Sequence, residues 1–503
     1  MQIEVLTGSV TTEKAEALVV SMFEGVANPE GVTGAVDVAL GGRISRVVAR
    51  GDFTGKSGEV LVLYPDGRIP AVRVLVVGFG KAEKLDCEAV RKASATAAKK
   101  ARDLGATVIH TAVHTVVHCA GATGLDAIKA AEAVAEGTVL GLYRFRELKT
   151  DKPDRADVHR LAFVEEDAGK AQEIGEGARL GQFIGESACY ARDLANLPGN
   201  VLTPVRMAEI ASNMAGICGL RAEILDEGEI ARLGMNAFMS VARGSHNPPR
   251  FIILEHNAGR TDLPCIALVG KAVTFDSGGI SLKPAEGMEA MKGDMAGGAA
   301  VLGTMRAVAL LGLPLRVVGL VAATENMPGG GASKPGDVVR ALNGLTVEII
   351  STDAEGRMCL ADGLTYSREW KPQALFDIAT LTGACSVALG SGAAGIMGDE
   401  SLCGVLARAG RATGEKVWSL PLFDEYNEQI KSDVADVKNS GGRPAGASTA
   451  GCFLKKFVPE GVPWVHIDMA GMSREGKGTA CVPKGATGYG VRLFTEMLRN
   501  WGK

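Results

Sequence analysis

The stretch Ser351-Thr-Asp-Ala-Glu-Gly-Arg357 places two carboxylates at the junction of two segments with different periodicity. It follows Leu345-Thr-Val-Glu-Ile-Ile350, whose β-branched residues predict a strand, and it precedes residues 358–366, whose apolar side chains have helical spacing. Side chains two positions apart share a face when the backbone is extended, so Asp353 and Glu355 could direct their oxygens toward one point. Such a pair of carboxylates suits a hard or borderline cation.

A second stretch, further upstream, supplies more candidate ligands. Residues 265–269 form an apolar run that predicts a buried strand, and the chain then becomes rich in glycine through residue 298. In open α/β sheets, functional groups gather beyond the carboxyl ends of the strands. We therefore expect the two stretches to meet at such an edge. The upstream stretch contributes Lys271, Asp276, Lys283 and Asp294.

The charges of Asp276, Asp294, Asp353 and Glu355 need compensation if these side chains converge. Two carboxylates about 4 Å apart repel each other by roughly 4 kcal/mol at an effective dielectric constant near 20. Two divalent ions would supply the matching charge, and a shared carboxylate can bridge ions about 3.5–4 Å apart. The sequence thus predicts an oxygen-rich dinuclear metal site, and Arg357 could add a permanent positive charge beside it.

The length and composition fit a globular α/β protein with two domains. A chain of 503 residues is too long for one core, and its 46% hydrophobic and 22% charged residues are ordinary values. The 66 glycines and the low aromatic content of 5% favour an α/β fold with many tight turns. The net charge of −4 and the isoelectric point near 6.1 give no bulk electrostatic attraction for nucleic acid.

The sequence predicts a cytoplasmic location. The N-terminal Met-Gln-Ile-Glu-Val lacks a basic region and an apolar signal core. The ten cysteines include no Cys-x-x-Cys pair, and several lie in apolar runs, which is typical of buried thiols in a reducing compartment. Arg306 and Arg316 interrupt the longest apolar tract, residues 301–324, so we expect a helix, a turn and a strand there instead of a membrane span.

Changes in pattern divide the chain into two domains and a connecting helix. Residues 1–166 alternate strand-like and helix-like segments and are expected to form a complete α/β domain. A charged segment with a proline ends this domain, and a connecting helix is predicted over residues 167–198. Residues 199–503 alternate again, as in a mixed sheet covered on both faces. The strand candidates of this larger domain are residues 250–254, 265–269, 316–322, 347–350, 374–378 and 464–467.

Three other features are weaker candidates for sites. Gly78-Phe-Gly-Lys81 follows a strand as in a dinucleotide-binding loop, but a third glycine and a downstream acid are missing, so we expect a tight turn. His110, His114 and His118 lie in a strand-like run. At roughly 3.3 Å per residue the first and last would be about 26 Å apart, too far to share a metal. His466 lies in a strand pattern and is expected to be a core residue.

Four separated stretches closely resemble the leucyl (cytosol) aminopeptidase family of dinuclear metallopeptidases. They are residues 265–298, 351–357, 377–384 and 444–454. Residues 351–357 are similar to the family signature, usually Asn-Thr-Asp-Ala-Glu-Gly-Arg-Leu. Ser351 and Met358 depart from that signature at positions that are not ligands, and Ala272 replaces the glycine that usually follows the lysine.

The resemblance implies two metal sites with shared ligands. Lys271, Asp276, Asp294 and Glu355 would bind the more tightly held ion. Asp276, Asp353 and Glu355 would bind the exchangeable ion, with the main-chain carbonyl of Asp353 as a further ligand and with Asp276 and Glu355 bridging. The ions are expected to be manganese, zinc or magnesium. A coordinating lysine must be neutral, and two nearby dications can lower its pKa from about 10.4.

The resemblance also implies the catalytic groups, the pocket, the fold and the assembly. Lys283 would act as an electrophile on the peptide carbonyl, and Arg357 would hold a bicarbonate ion that serves as general base. An apolar pocket with a methionine would suit N-terminal Leu or Met. The implied fold is a macro-like N-terminal α/β domain plus a larger C-terminal mixed-sheet α/β metallopeptidase domain, assembled as a homohexamer. The pocket residues would be Met291, Thr380, Gly383 and Ala470.

The leading hypothesis is a metal-dependent aminopeptidase, a hydrolase that releases Leu- or Met-like N-terminal residues from peptides through a water activated by two ions. A dinuclear phosphoesterase is a second hypothesis, which the lack of a histidine ligand set makes less favourable. A third is a scaffold or nucleic-acid-binding role of residues 1–166, which the acidic isoelectric point does not support. No membrane partner is expected.

Overall fold

The structure, a computed structural model, describes residues 1–113, 125–151 and 153–502. Its contacts divide the chain into two compact units, a smaller one of Met1–Glu186 with Lys477–Lys484 and a larger one of Ser187–Gly476 with Gly485–Lys503. Both units combine helices with a sheet, so the expected α/β class with a smaller N-terminal and a larger C-terminal mixed-sheet domain is confirmed. The exact domain limits at residues 166 and 198 stay predictions.

The smaller unit is built on a six-stranded sheet with the spatial order β1-β6-β5-β2-β4-β3. Neighbouring strands are parallel except for β3 and β4. The strands are β1 (Gln2–Thr7), β2 (Ala17–Met22), β3 (Val60–Leu63), β4 (Val74–Gly78), β5 (Val108–Thr111) and β6 (Arg160–Glu165). The described helices are α1 (Gly31–Ala39), α2 (Arg43–Ala49), α3 (Cys87–Asp103), α4 (Ala127–Leu142) and α5 (Ala168–Asn196), which continues into the larger unit.

The smaller unit contains two of the weaker site candidates, residues 78–81 and the three histidines. Gly78 ends β4, and Gly80 follows in the left-handed region with φ of +77°. The backbone N–H groups of Phe79 and Gly80 donate to the carbonyls of Met22 and Gly55, so the expected tight turn stays a prediction. His110 is buried in β5, where burial lowers the pKa of its imidazole. His114 and His118 lie outside the described residues.

The larger unit is built on an eight-stranded mixed sheet with the spatial order β15-β14-β17-β13-β9-β10-β8-β7. The four central strands, β17, β13, β9 and β10, are parallel, and they are buried along nearly their whole length, as their apolar sequences predict. The strands are β7 (Arg221–Leu225), β8 (Arg250–His256), β9 (Cys265–Asp276), β10 (Arg316–Asn326), β13 (Ala374–Ala379), β14 (Ala394–Gly398), β15 (Val417–Ser419) and β17 (Trp464–Asp468).

The strand expected at residues 347–350 is shorter than predicted and belongs to a different sheet. It forms β12 (Thr346–Glu348), which pairs with β11 (Val338–Arg340) and β16 (Val437–Lys438) in a separate three-stranded sheet. A β-branched run indicates a strand but carries no information about its partners, because pairing depends on contacts distant in sequence. β18 (Arg474–Glu475) and β19 (Gly485–Ala486) form a further small ribbon.

Helices cover the large sheet, and one of them approaches it very closely. Helix α9 (Ala296–Leu311) packs on β9 through Gly298, where a Cβ would lie 2.7 Å from that of Ala272. Among the described residues, the 24-residue segment Met288–Leu311 is apolar and long enough for a membrane span, but 78% of its most apolar 18-residue stretch is buried, as in a core helix. The other helices are α6 (Pro204–Cys218), α7 (Glu227–Leu233), α8 (Asn236–Ala242), α10 (Gly356–Tyr366), α11 (Gly383–Leu389), α12 (Glu400–Thr413), α13 (Gly446–Lys455) and α14 (Val491–Arg499).

The carboxylate of Asp362 fixes helix α10, which carries part of the signature stretch. Its two oxygens accept hydrogen bonds from the backbone N–H of Phe238 at 2.9 Å and of Leu342 at 2.8 Å, and the residue is fully buried. The protonated carboxyl group present at pH 5 still offers an acceptor lone pair on each oxygen, whereas an asparagine can present an oxygen to only one of these donors and turns its own NH₂ toward the other. A buried donor without an acceptor costs about 1–3 kcal/mol. We expect Asp362→Asn to lower the free energy of unfolding by about this amount at pH 5 in urea titrations.

The pH dependence of this loss follows from the pKa of Asp362. Burial raises that pKa to about 7, although the backbone hydrogen bonds oppose the shift. Between about pH 4 and 7 the folded protein therefore retains a proton that the unfolded chain has lost, so the stability from this group falls as pH rises. The deficit of Asp362→Asn should be smaller at pH 8 than at pH 5. The exposed Asp433→Asn serves as control, and a deficit that grows with pH would contradict this account.

Candidate active site

The candidate ligands come from three places, which are strand β9, the start of helix α9 and the start of helix α10. Lys271 lies within β9 and Asp276 ends it. Asp294 follows a short 3₁₀ helix, Met288–Gly293, immediately before α9. Asp353 and Glu355 precede α10. Helices α9 and α10 both pack on β9, and this packing brings residues so distant in sequence together.

The signature stretch was expected to be extended, but its backbone is not. Residues 352–353 form a turn, and Glu355 has φ of −74° and ψ of −37°, which is the helical region. The carboxylates nevertheless converge, because the turn and the start of α10 direct both side chains to the same side. Glycines shape the facing loop. Gly278 has φ of +86°, and a Cβ there would lie 2.5 Å from the Ser281 carbonyl oxygen and 2.9 Å from Asp353 Oδ1.

The predicted ligands form one cluster in a cavity of about 300 Å³. One oxygen each from Asp276, Asp353 and Glu355 lies within 4.8 Å of the others. The Lys271 ammonium nitrogen lies 2.7 Å from both Asp294 Oδ2 and Glu355 Oε1. The expected common centre therefore exists.

A second lysine closes the other side of this cluster. The ammonium nitrogen of Lys283 lies 2.8 Å from Asp276 Oδ2 and 2.5 Å from Asp353 Oδ1. Burial opposes its charge, yet Asp276 and Glu355 outweigh this effect and raise the pKa of Lys283 above its usual value. Lys283 is thus a cation at neutral pH among these acids, and its side chain is 22% exposed.

Burial and mutual repulsion make the acids hold their protons unusually well. Burial, followed by the charge of Glu355, raises the pKa of Asp276 to about 6. Burial also raises the pKa of Asp294 and of Asp353. For Glu355, burial acts in the same direction, but Lys271 and Lys283 outweigh it and lower the pKa. The two lysines alone do not supply enough positive charge to balance these four acids.

The donor set fits divalent metal ions. Asp294 Oδ2 is buried and lies 2.7 Å from the Lys271 nitrogen, but it receives no hydrogen bond of suitable angle from the described residues. A buried carboxylate oxygen without such a bond is unfavourable unless a cation binds it. Carboxylate oxygens with one nitrogen donor match the ligand preferences of manganese, magnesium and zinc.

The four predicted pocket residues line the same cavity as the acids. Met291, Thr380, Gly383 and Ala470 all contribute to its wall. Thr380 also connects pocket and acids, because its hydroxyl donates to Asp294 Oδ1 at 2.7 Å and its carbonyl accepts from Lys271 at 3.0 Å. A substrate side chain in this pocket would therefore lie directly beside the cluster.

The predicted catalytic residue Arg357 does not belong to the described lining of this cavity. Its guanidinium is buried, donates to the Asn439 carbonyl at 2.8 Å, and has an Nε–H without a hydrogen-bond partner among the described residues. Burial lowers the pKa of Arg357 to about 10, although Glu355 and Asp468 oppose the shift. Its proposed role as a bicarbonate holder stays a prediction. His466 is a core residue as expected, fully buried with Nδ1 2.6 Å from Asp377 Oδ1.

Sequence reasoning missed the residues that hold the ligands in place. Asn326, at the end of β10, donates to Asp276 Oδ1 at 2.8 Å and to the Thr352 carbonyl at 2.9 Å. It thereby joins the two stretches that carry the acids. A polar residue directly after an apolar strand was the available signal, since β10 ends beside β9.

Asp468, at the end of β17, is a second missed residue and holds the pocket wall. Its Oδ1 accepts from the backbone N–H of Leu381 and Ala470, each at 3.2 Å, and its Oδ2 accepts from the Thr382 hydroxyl at 2.7 Å. A carboxylate that accepts several hydrogen bonds holds these groups more firmly than a neutral amide does. Asp468 therefore fixes both segments that carry the pocket residues.

For the aminopeptidase activity that the sequence resemblance implies, we expect Asp468→Asn to act on substrate binding more than on chemistry. The weaker neutral bonds should loosen residues 380–383, raise KM for leucine substrates about tenfold and leave kcat within about threefold. The preference for N-terminal Leu over Gly should shrink as well. Steady-state kinetics with both substrates measure these effects. Asp399→Asn, which retains a good cap of the remote helix α12, serves as the control. An equal loss in kcat for both substrates would contradict the assignment.

Comparison with known proteins places this arrangement of residues in a family. The profile described as "Cytosol aminopeptidase family, catalytic domain" matches residues 189–495, and the corresponding N-terminal domain profile matches residues 19–152. The chain belongs to the cytosol aminopeptidase family. It is therefore a peptidase, a hydrolase that acts at the N-terminus of its substrates, and the resemblance seen in the sequence is confirmed.

Curated relatives of this aminopeptidase agree over nearly its whole length. It is 49% identical over 467 residues to a probable cytosol aminopeptidase of Geotalea uraniireducens, with 92% of each chain covered. It is 45% identical to one of Geobacter sulfurreducens, with 99% of each chain covered. The cytosol aminopeptidase of Pseudomonas aeruginosa is 44% identical over 466 residues, with 92% of each chain covered.

Solved structures similar to this aminopeptidase have the same fold. "Bottromycin maturation enzyme BotP in complex with Mn" superposes with a TM-score of 0.85 at 35% identity, covering 97% of this chain and all of the other. A mutant of tomato leucine aminopeptidase superposes with a TM-score of 0.88 at 33% identity, covering 99% and 96%.

Proposed function

We propose that this aminopeptidase works with two divalent metal ions held by Lys271, Asp276, Asp294, Asp353 and Glu355. The observation that supports the proposal is the convergence of these side chains in one cavity, with three carboxylate oxygens within 4.8 Å of one another. When bound, such ions would polarise the scissile carbonyl and lower the pKa of an attacking water. The manganese named with the similar BotP structure favours manganese here, and zinc and magnesium remain alternatives.

The exposure of the ligands suggests which ion exchanges more readily. The side chain of Asp353, assigned to one ion only, is 37% exposed, whereas that of Asp294, assigned to the other, is 9% exposed. The shared ligands Asp276 and Glu355 are 3% and 4% exposed. An ion on the Asp353 side would therefore have the easier path to solvent.

Lys283 supplies the group that stabilises charge on the substrate. Its ammonium retains its proton and stands at the partly exposed side of the cluster. A preorganised cationic donor in a partly desolvated site stabilises the developing oxyanion far better than water does. Arg357 would hold a bicarbonate ion as general base. Its Nε–H, which has no described protein partner, is the feature that supports an anion there.

The lining supports a preference for medium-sized apolar N-terminal residues. Met291 contributes a flexible, polarisable side chain, and Gly383 and Ala470 leave room beside it. Such a pocket would accept Leu or Met, in agreement with the preference inferred from the sequence. We also retain the cytoplasmic location and the homohexamer as proposals.

Metal removal tests the two-ion function directly. We expect the chelated protein to lose hydrolysis of leucine p-nitroanilide, and manganese to restore it as metal analysis approaches two ions per chain. Asp353→Ala should lower both the activity and the number of bound ions. Turnover that persists in demonstrably metal-free protein, or an Asp353→Ala variant with unchanged activity and metal content, would refute the proposal. Hydrolysis of a phosphate ester in place of the peptide analogue would favour the phosphoesterase hypothesis.

A further inference from the structure

The four cations that line the metal-site cavity fall into two pairs. Lys271 and Lys283 each contact two carboxylates of the cluster within 2.8 Å. Lys292 and Arg474 line the same cavity, yet no carboxylate lies within ion-pair distance of either among the residues that the structure describes. Lys292 donates one hydrogen bond to the Asn196 carbonyl at 2.7 Å, which does not neutralise its charge. Two uncompensated positive charges therefore share this wall.

The same two cations also line a second, larger cavity. This space of about 840 Å³ lies next to the first, and Lys292 and Arg474 belong to both linings. Its own acids are Glu289 and Glu325, and Glu325 already accepts hydrogen bonds from Ser245 at 2.5 Å and Asn247 at 3.0 Å. The two cations thus lie on the wall that the two cavities share.

The direction in which a peptide binds indicates which of its groups would reach these two cations. An aminopeptidase holds the substrate's N-terminal residue in the pocket beside the metal ligands, so the following residues extend toward the cavity mouth. A cavity of about 300 Å³ is at the small end of ligand sites, which span about 300–1,000 Å³, and it can enclose only the first residues of a peptide. The next charged group of a short peptide is its C-terminal carboxylate.

We propose that Lys292 and Arg474 bind a carboxylate of the substrate on the downstream side of the scissile bond. The carboxylate is the C-terminal group of a di- or tripeptide or the acidic side chain of the second residue. A carboxylate can accept from an ammonium and a guanidinium together, and such charge-assisted bonds are stronger than neutral ones. The enzyme would thus favour short or acidic peptides. This inference rests on the proposed aminopeptidase function.

Two pairs of substrates separate the sources of the carboxylate. Leu-Gly is compared with Leu-Gly-amide, and Leu-Asp-amide with Leu-Asn-amide, using the manganese-loaded full-length protein. We expect KM to be roughly 3–10-fold lower for the charged member of at least one pair, since tenfold corresponds to about 1.4 kcal/mol. A difference only in the first pair assigns the C-terminal group, and a difference only in the second assigns the side chain. The advantage should shrink in high salt.

Variants test whether these two residues carry the preference. Arg474→Gln alone should bring the KM ratio close to one, and Arg474→Glu should reverse it. Lys292→Gln should act like Arg474→Gln, but it also removes the bond to Asn196, so the exposed Arg474 is the cleaner test. Arg411→Gln, an exposed arginine outside both cavities, controls for net charge.

Failure of this inference can be distinguished from failure of the proposed function. Equal KM values within both substrate pairs, or ratios that the Arg474 variants leave unchanged, overturn the carboxylate site while hydrolysis of leucine p-nitroanilide upholds the aminopeptidase. If no peptide is hydrolysed, the proposed function fails. The same ligand pairs are then compared by calorimetry, where equal affinities would overturn the carboxylate site as well.

Discussion

Replacement of Lys283 by methionine should lower kcat about 10²–10³-fold, with KM changed much less. Methionine has a similar length but cannot donate to a developing oxyanion. Loss of a preorganised donor of this kind removes an interaction that forms mainly in the transition state, so the loss should fall on kcat. Steady-state kinetics on leucine p-nitroanilide at saturating manganese measure it. The exposed Lys334, which pairs with Asp337, provides the matched control Lys334→Met.

Metal content decides whether the loss in Lys283→Met is catalytic. In the structure Lys283 contacts Asp276 and Asp353, so its removal takes a competing cation away from two proposed ligands. We therefore expect the variant to bind manganese at least as tightly as the parent protein. A variant with full metal content and kcat within threefold of the parent would exclude Lys283 from the chemistry. Lys283→Arg should recover part of the rate, because it restores the charge but not the compact geometry.

The sequence was most informative where function depends on a contiguous motif. Asp353 and Glu355 could be identified as a pair from their spacing, and Asp276 from its place after an apolar run. The local conformation was wrong even so, because Glu355 adopts helical and not extended backbone angles. The prediction of convergence survived because α10 packs on β9, and this packing, more than an extended spacing, brings the side chains together.

The roles of residues that act through contacts between distant parts of the chain could not be predicted from the sequence. Asn326 and Asp468 lie 50 and 86 positions from their partners Asp276 and Thr382. The place of Asn326 after an apolar strand marks it as a candidate, but the neighbouring sequence does not identify the partners of either residue. For the same reason, the sequence did not show that β12 belongs to a separate sheet. The assignment of Lys271 as a ligand came from the resemblance alone and stays a prediction, since lysine is an unusual ligand that must lose its proton to coordinate.

Gly356 is the position at which one added methyl group should disable the site. A Cβ there would lie 2.6 Å from both Cε and Nζ of Lys271, whose side chain is only 3% exposed. We expect Gly356→Ala to displace the lysine from Asp294 and Glu355, to weaken binding of the ion on that side, and to lower kcat about 10²-fold, as a displacement near 1 Å can. Metal analysis and kinetics measure both effects.

The helix itself should tolerate this alanine, and this separates displacement of Lys271 from unfolding. Alanine is the better helix former by about 0.8–1 kcal/mol, so Gly216→Ala in α6, which has open space, should be neutral or stabilising. If the clash with Lys271 is the cause, adding Gly356→Ala to the Lys271→Ala variant should cost no further stability, while activity stays low. Additive effects of the two substitutions would show that they do not interact, because residues in direct contact deviate from additivity by about 0.5–3 kcal/mol. The cycle thus tests whether the first turn of α10 positions the lysine.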